Sequence, residues 1–145
     1  MDMNPLSNLD NVQPDTLGDE PIVVLNLLKF ESPASISSYM DYGAEFFRTF
    51  SQRGAEVLYC GKLMEKVQGD AGDWDVVLLV RYPNRKFFYD MLRSDEYQSF
   101  SHFREDALEN GVLQPSEALM PYRTQAIKFD GGEWTTEILS RLENS

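Results

Sequence analysis

Arg104 lies on a helical stripe that is otherwise apolar. Between Ser94 and Asn110, the residues Tyr97, Phe100, Phe103, Ala107 and Leu108 recur at about 100° per residue, and Arg104 falls inside that set. A guanidinium buried without a partner is unfavourable by several kcal/mol, as an order of magnitude. It must therefore meet a carboxylate, backbone carbonyls or the anionic part of a ligand. One reading is structural, an internal bridge or a stem that snorkels to the helix edge. The other is chemical: a cation placed to bind the anionic part of a ligand.

A second polar residue, Asn26, interrupts the apolar run Val23-Val24-Leu25 and Leu27-Leu28. A buried amide needs hydrogen-bond partners. It can tie down a neighbouring loop, or it can orient a bound carbonyl or hydroxyl between sheet and helices. Tyr39, Tyr42, Tyr82 and Tyr97 can line the same space with phenol groups, and Tyr97 can donate or accept a proton. Aromatic core packing is the plainer account of all four.

Other chemistries find little footing. His102 projects to the opposite helix face, beside Gln98, Glu105, Asp106 and Glu109, where a solvated imidazole belongs. One His and one Cys in the whole chain exclude a Cys/His metal site within it. Cys60 has no partner for an internal disulfide and is expected as a small apolar core residue. Asp70, Asp73 and Asp75 crowd one loop without the spacing or terminal Glu of a calcium loop, and are read as turn formers. No phosphate-binding glycine loop, dinucleotide fingerprint or nucleophile elbow is present. No metal and no cofactor is expected.

The elements that must hold Arg104, Asn26 and the tyrosines follow from periodicity. Pro21 to Phe30 is nearly continuous and β-branched, the pattern of a central strand covered on both faces. Ser32 can cap a helix with Pro33 in its first turn, on which Ile36, Tyr39, Met40, Gly43, Phe46, Phe47 and Phe50 form the apolar stripe before Gly54 ends it. Ala55 to Val67 fits a long strand, returned by the loop Gly69 to Asp73 into a second strand, Trp74 to Tyr82. Asn84 can cap the next helix, with Phe87, Phe88, Met91 and Leu92 on one face. Ser94 restarts a helix that runs to about Asn110, where Gly111 stops it. The last strand is expected at Ala118 to Phe129, with Pro121 at an edge or bulge.

This order, βαββαβ, predicts an α+β ferredoxin-like domain at 21–130, a four-stranded antiparallel sheet with both helices on one face. The opposite face is then bare. Strands apolar on both sides, such as Val76 to Val80, call for a cover, and a second copy of the chain is the simplest one. A homodimer paired through the sheet face is expected. Residues 1–20, with five acids, no base and two prolines, read as an extended arm; 131–145 is a tail in which Trp134 to Leu142 can form a short helix.

Composition narrows the partners. A formal charge of -11 disfavours nucleic acid, which is bound by Lys and Arg neutralising phosphates. The longest apolar run falls well short of the roughly 20 residues that span a bilayer. With no basic n-region or apolar h-region at Met1 to Asn4, and a single cysteine, cytoplasmic residence is the expectation.

The run Pro21 to Phe30, the segment Trp74-Asp75 through Arg81-Tyr82-Pro83, and Ser94-Asp95-Glu96-Tyr97 followed by Arg104 resemble the domain-of-unknown-function family 1330, of the dimeric α+β barrel superfamily. The resemblance covers about Pro21 to Phe129. It implies a ferredoxin-like protomer whose sheet packs on a partner's, with a pocket between sheet and helices. Related members include cofactor-independent monooxygenases, isomerases and haem enzymes, so membership does not select a reaction; His102 is no good match for a haem ligand. The functional expectation is a small-molecule-binding protein, as a cofactor-independent oxygenase or isomerase acting on a small hydrophobic or aromatic compound. The alternative is a noncatalytic homodimeric module that binds a ligand or a protein.

Overall fold

The computed structural model describes residues 18–120 and Ser140. Strand β1 (Ile22–Phe30) leads through a turn at Pro33–Ser35 into helix α1 (Ile36–Phe50). Strands β2 (Glu56–Lys62) and β3 (Val76–Tyr82) follow, then helices α2 (Arg85–Arg93), α3 (Asp95–Gln98) and α4 (Ser101–Ala107), and strand β4 (Leu108–Ser116). The strands form one antiparallel sheet in the order β2-β3-β1-β4. This is the ferredoxin-like α+β arrangement, with the two βαβ halves interleaved so that β1 and β3 are central.

The starts of α2 and α3 are made by the residues the sequence offered, whereas α1 begins at Ile36, after the turn that follows Ser32. Asn84 accepts a 2.7 Å hydrogen bond from the Phe87 amide, and Ser94 accepts one of 3.1 Å from Tyr97, each satisfying an amide that has no partner within its helix. Gly54 closes the turn after α1 at φ +113°, and a Cβ there would meet the Pro83 ring at 2.7 Å, so conformation and close approach both require glycine.

Register divides the sheet into two faces. Ile22, Val24, Asn26 and Leu28 of β1 align with Tyr82, Val80, Leu78 and Val76 of β3 and point to the helices. There Ile22, Val24, Val80 and Tyr82 meet Phe46, Phe50, Phe88, Met91, Leu92, Tyr97 and Phe100 in one core, with Leu78 packed against it. Burying a side chain of this size contributes about 1.5–3 kcal/mol. Val23, Leu25 and Leu27, aligned with Arg81, Leu79 and Val77, occupy the other face and are only half-buried.

Three expectations about the elements are corrected. The fourth strand is Leu108–Ser116, not Ala118–Phe129. Ala118 to Met120 are not strand, and 121–129 lie outside the described residues, as do 1–17 of the arm and 131–139 and 141–145 of the tail. The helix therefore stops at Ala107, and Gly111 sits inside a strand opposite Leu28. Nothing local forbids helix at Leu108 to Asn110; pairing with β1 decides it. Pro115 is tolerated because β4 is an edge strand. The segment from Ser94 is also two helices, broken around Ser99 and Phe100, where Phe100 and Phe103 amides bond three residues back, to the carbonyls of Tyr97 and Phe100. Finally, β2 ends at Lys62. Beyond it the Leu63 amide bonds the Asp75 carbonyl, whereas Met64 and Val67 are 85% and 95% exposed.

Candidate functional site

A cavity of about 500 Å³ opens between α1 and the helix-facing side of the sheet. Its wall includes Asn26 from β1, Tyr39 and Tyr42 from α1, Tyr82 from the end of β3 and Tyr97 from α3. Five of the six residues singled out from the sequence are thus brought to one space. The remainder of the wall is largely apolar, including Met40, Phe47, Leu78, Phe88, Met91 and Leu92. A second trough of about 770 Å³ shares Tyr39, Met40, Cys60 and Leu78 with it and extends toward Lys62 and Trp74.

Tyr42 and Tyr97 hydroxyls lie 3.1 Å apart in a hydrogen bond. Their rings meet edge to face, and Tyr39 packs between Phe30 and Tyr42, at 5.6 Å and 5.4 Å between centroids. Burial dominates the acidity of all four phenols. It pushes Tyr39 up to about 12, Tyr42 and Tyr82 well above the ordinary value, and Tyr97 in the same direction. The Arg104 charge opposes this at every one of them. At neutral pH the four are neutral phenols; Tyr97 can donate but does not serve as a ready proton acceptor.

Asn26 is 6% exposed. Its Nδ2 donates to the carbonyl oxygens of Val24 and Leu78, each at 3.4 Å. Arg104 is 3% exposed, as its place in the stripe implied. It is not part of this cavity's wall, and it forms no ion pair with a carboxylate among the described residues. Its charge lowers the pKa of each of the four tyrosines, against the effect of burial. His102 is exposed, on the polar side of α4.

Several cavity features were not foreseen. Cys60 was expected in the core, yet it is exposed on the cavity wall. It faces the helix side, opposite Leu78, but β2 is an edge strand, so that position stays open. Met40 and Phe47 were read as part of the buried stripe of α1, and they are 65% and 46% exposed. A stripe wider than the sheet beneath it leaves its margin uncovered; that excess width was the available signal. Asp75 proves structural, its carboxylate accepting from the Phe30 amide at 2.9 Å. A separate polar cleft holds Arg48 and Arg53, but both are already paired, with Glu45 and Glu96. Among the described residues no cluster of His, Cys, Asp or Glu could hold a metal ion, and no helix is long and apolar enough to cross a membrane.

The family described as "Domain of unknown function (DUF1330)" matches residues 24–113. The chain belongs to this family. The matched span begins and ends within the sheet, at Val24 and Leu113, and so encloses every cavity residue named above. No curated protein matches the chain. Among solved structures, it resembles RPA0582 from Rhodopseudomonas palustris, a protein of unknown function, at 25% identity and a TM-score of 0.65, over 74% of this chain and 88% of that one. It also resembles At3g17210 from Arabidopsis thaliana, at 11% identity and a TM-score of 0.52, over 74% and 99% of the two chains. The latter likeness is one of fold alone.

Proposed function

We propose that this family member binds a small, flat hydrophobic or aromatic compound between α1 and the sheet, and that it acts as a cofactor-independent oxygenase or isomerase. The observation that carries the reading is the cavity, whose apolar wall holds only a few convergent polar groups, as small-molecule sites do. Tyr97 donates a hydrogen bond to an oxygen on which negative charge develops, Asn26 orients the compound, and Tyr39, Tyr42 and Tyr82 line it. Arg104 acts from behind this layer, as a positive charge that favours the anionic form. A second copy of the chain covers the apolar face of the sheet.

The rate on a substrate found by screening tests the mechanism. Arg104→Leu should lower turnover by about a hundredfold, the scale of a lost electrostatic stabiliser; equal turnover removes this mechanism.

One observation favours the alternative, a noncatalytic ligand-binding module. Among the described residues the cavity wall contains no carboxylate and no imidazole, and its phenols are held neutral, so none of these residues is a ready general base. In that case Arg104→Leu lowers the melting temperature of a protein that still folds and leaves ligand affinity unchanged.

A further inference from the structure

We infer that Asn26 is the specificity residue of the cavity and selects an apolar ligand bearing a hydroxyl group in its neutral, protonated form. The inference rests on the proposed role of the cavity as a ligand site and goes on to name the chemistry of the ligand.

The argument begins with which way the amide faces. Val24 and Leu78 both present carbonyl oxygens to one end of the Asn26 side chain. Only the nitrogen can sit there, since an oxygen would face two other acceptors. The sheet therefore fixes Oδ1 in the opposite position. Among the described residues no donor reaches that oxygen, and no fully enclosed side-chain nitrogen or oxygen lacks a partner. The Oδ1 atom of this nearly buried residue is thus met by open space, and the space Asn26 borders is the cavity. An acceptor oxygen in an apolar chamber is satisfied by a donor on whatever enters it.

The tyrosines supply the complementary group. Two phenols joined by one hydrogen bond have two protons between them and use one. The hydroxyl that accepts within the Tyr42–Tyr97 pair keeps its own hydrogen for another acceptor. A hydroxyl on the ligand can serve both needs, donating to Asn26 and accepting from a tyrosine. A phenol or an enol carries such a group on a flat apolar body. A phenolate placed against Oδ1 would set two acceptors together, so the compound enters protonated, and ionisation belongs to a later step.

Two probes that differ only in the donor test this: 1-naphthol and its methyl ether, 1-methoxynaphthalene. The ether keeps the ring and an acceptor oxygen but cannot donate. Cys60 is the single cysteine of the chain and is exposed on the cavity wall, so protection from a thiol reagent reports occupancy for each probe. Wild type should bind the naphthol about tenfold to a hundredfold more tightly than the ether, the effect of leaving one buried acceptor unsatisfied. In Asn26→Leu the two affinities should come to within about threefold of each other, with ether binding kept or improved. Equal affinities in wild type overturn the inference while leaving the cavity as a ligand site, and this arm does not depend on the variant folding. A preference that survives in Asn26→Leu also overturns it. If neither probe protects Cys60 of the wild type, the ligand-site reading itself fails and the inference with it.

Discussion

On its helix side β1 places Ile22, Val24, Asn26 and Leu28, all buried, and on its other side Val23, Leu25 and Leu27, half-buried and wholly apolar. The first face is covered by the chain's own helices and yet contains a polar group and a cavity. The second is apolar along its centre and carries its polar groups toward the edges, the Arg81–Glu56 pair at 3.1 Å on the β2 side and Gln114 and Ser116 on β4. The contrast is the one that the proposed ligand site and the proposed self-association would place on one strand. A face that closes over a ligand needs a few oriented polar atoms in an apolar wall. A face that closes over another protein surface needs an apolar centre and a polar rim.

The largest effect expected on the helix side comes from Phe50, 2% exposed and packed on Phe46, Tyr97 and Phe100. Phe50→Ala should lower the unfolding free energy by about 3–5 kcal/mol in urea denaturation. A loss below about 1 kcal/mol would mean that this part of the core is not packed as described.

On the other face, Leu25→Asp puts a charge at the centre of the apolar patch, beside Leu79. If a second copy covers that patch, association should weaken by about 3 kcal/mol or more, the scale of an uncompensated buried charge. Light scattering at micromolar concentration should then report a monomer for the variant and a dimer for the wild type. An unchanged dimer would place the interface elsewhere, and a monomeric wild type would remove the dimer altogether.

A smaller effect, particular to the cavity side, is set by pH. In the unfolded chain a tyrosine loses its proton near pH 10, approximately, whereas folded Tyr39 holds its own to about 12 and Tyr42, Tyr82 and Tyr97 are raised too. Between these limits the unfolded state has released protons that the folded state retains, so unfolding gains as pH rises. The stabilisation is therefore complete below about pH 10 and is lost as pH climbs through about 12. Melting temperature followed across that window should decline, and replacing Tyr39 by Phe should lessen the decline. A flat profile would show that the phenols are not withdrawn from water.

Much of the fold was legible because its signals are local. Asn84 and Ser94 cap helices because their side chains reach amides three residues on, a relation fixed by spacing alone. The run Pro21 to Phe30 announced a central strand because it is nearly continuously apolar, the pattern of a strand with neighbours on both sides. The burial of the candidate residues was legible too: Asn26 and Arg104 drew attention as polar groups in apolar surroundings, Tyr97 as part of the apolar stripe, and all three are buried. The errors lie where local chemistry is indifferent. Leu108 to Asn110 suit a helix or a strand, and Cys60 suits a core or a cavity wall.

The sequence by itself determined the alternation of β1 and the centre of each helical stripe, since side-chain period and polarity are written into the chain, and it determined that a buried amide and a buried guanidinium had to be accommodated. Only the tertiary structure decided that β4 begins at Leu108, because its partner β1 lies some eighty residues earlier. It alone decided that Cys60, on an edge strand, borders open space, and that Arg104 is buried without joining the wall of that cavity. Those outcomes depend on which surfaces remain uncovered after packing, and no spacing along the chain encodes what packing leaves empty.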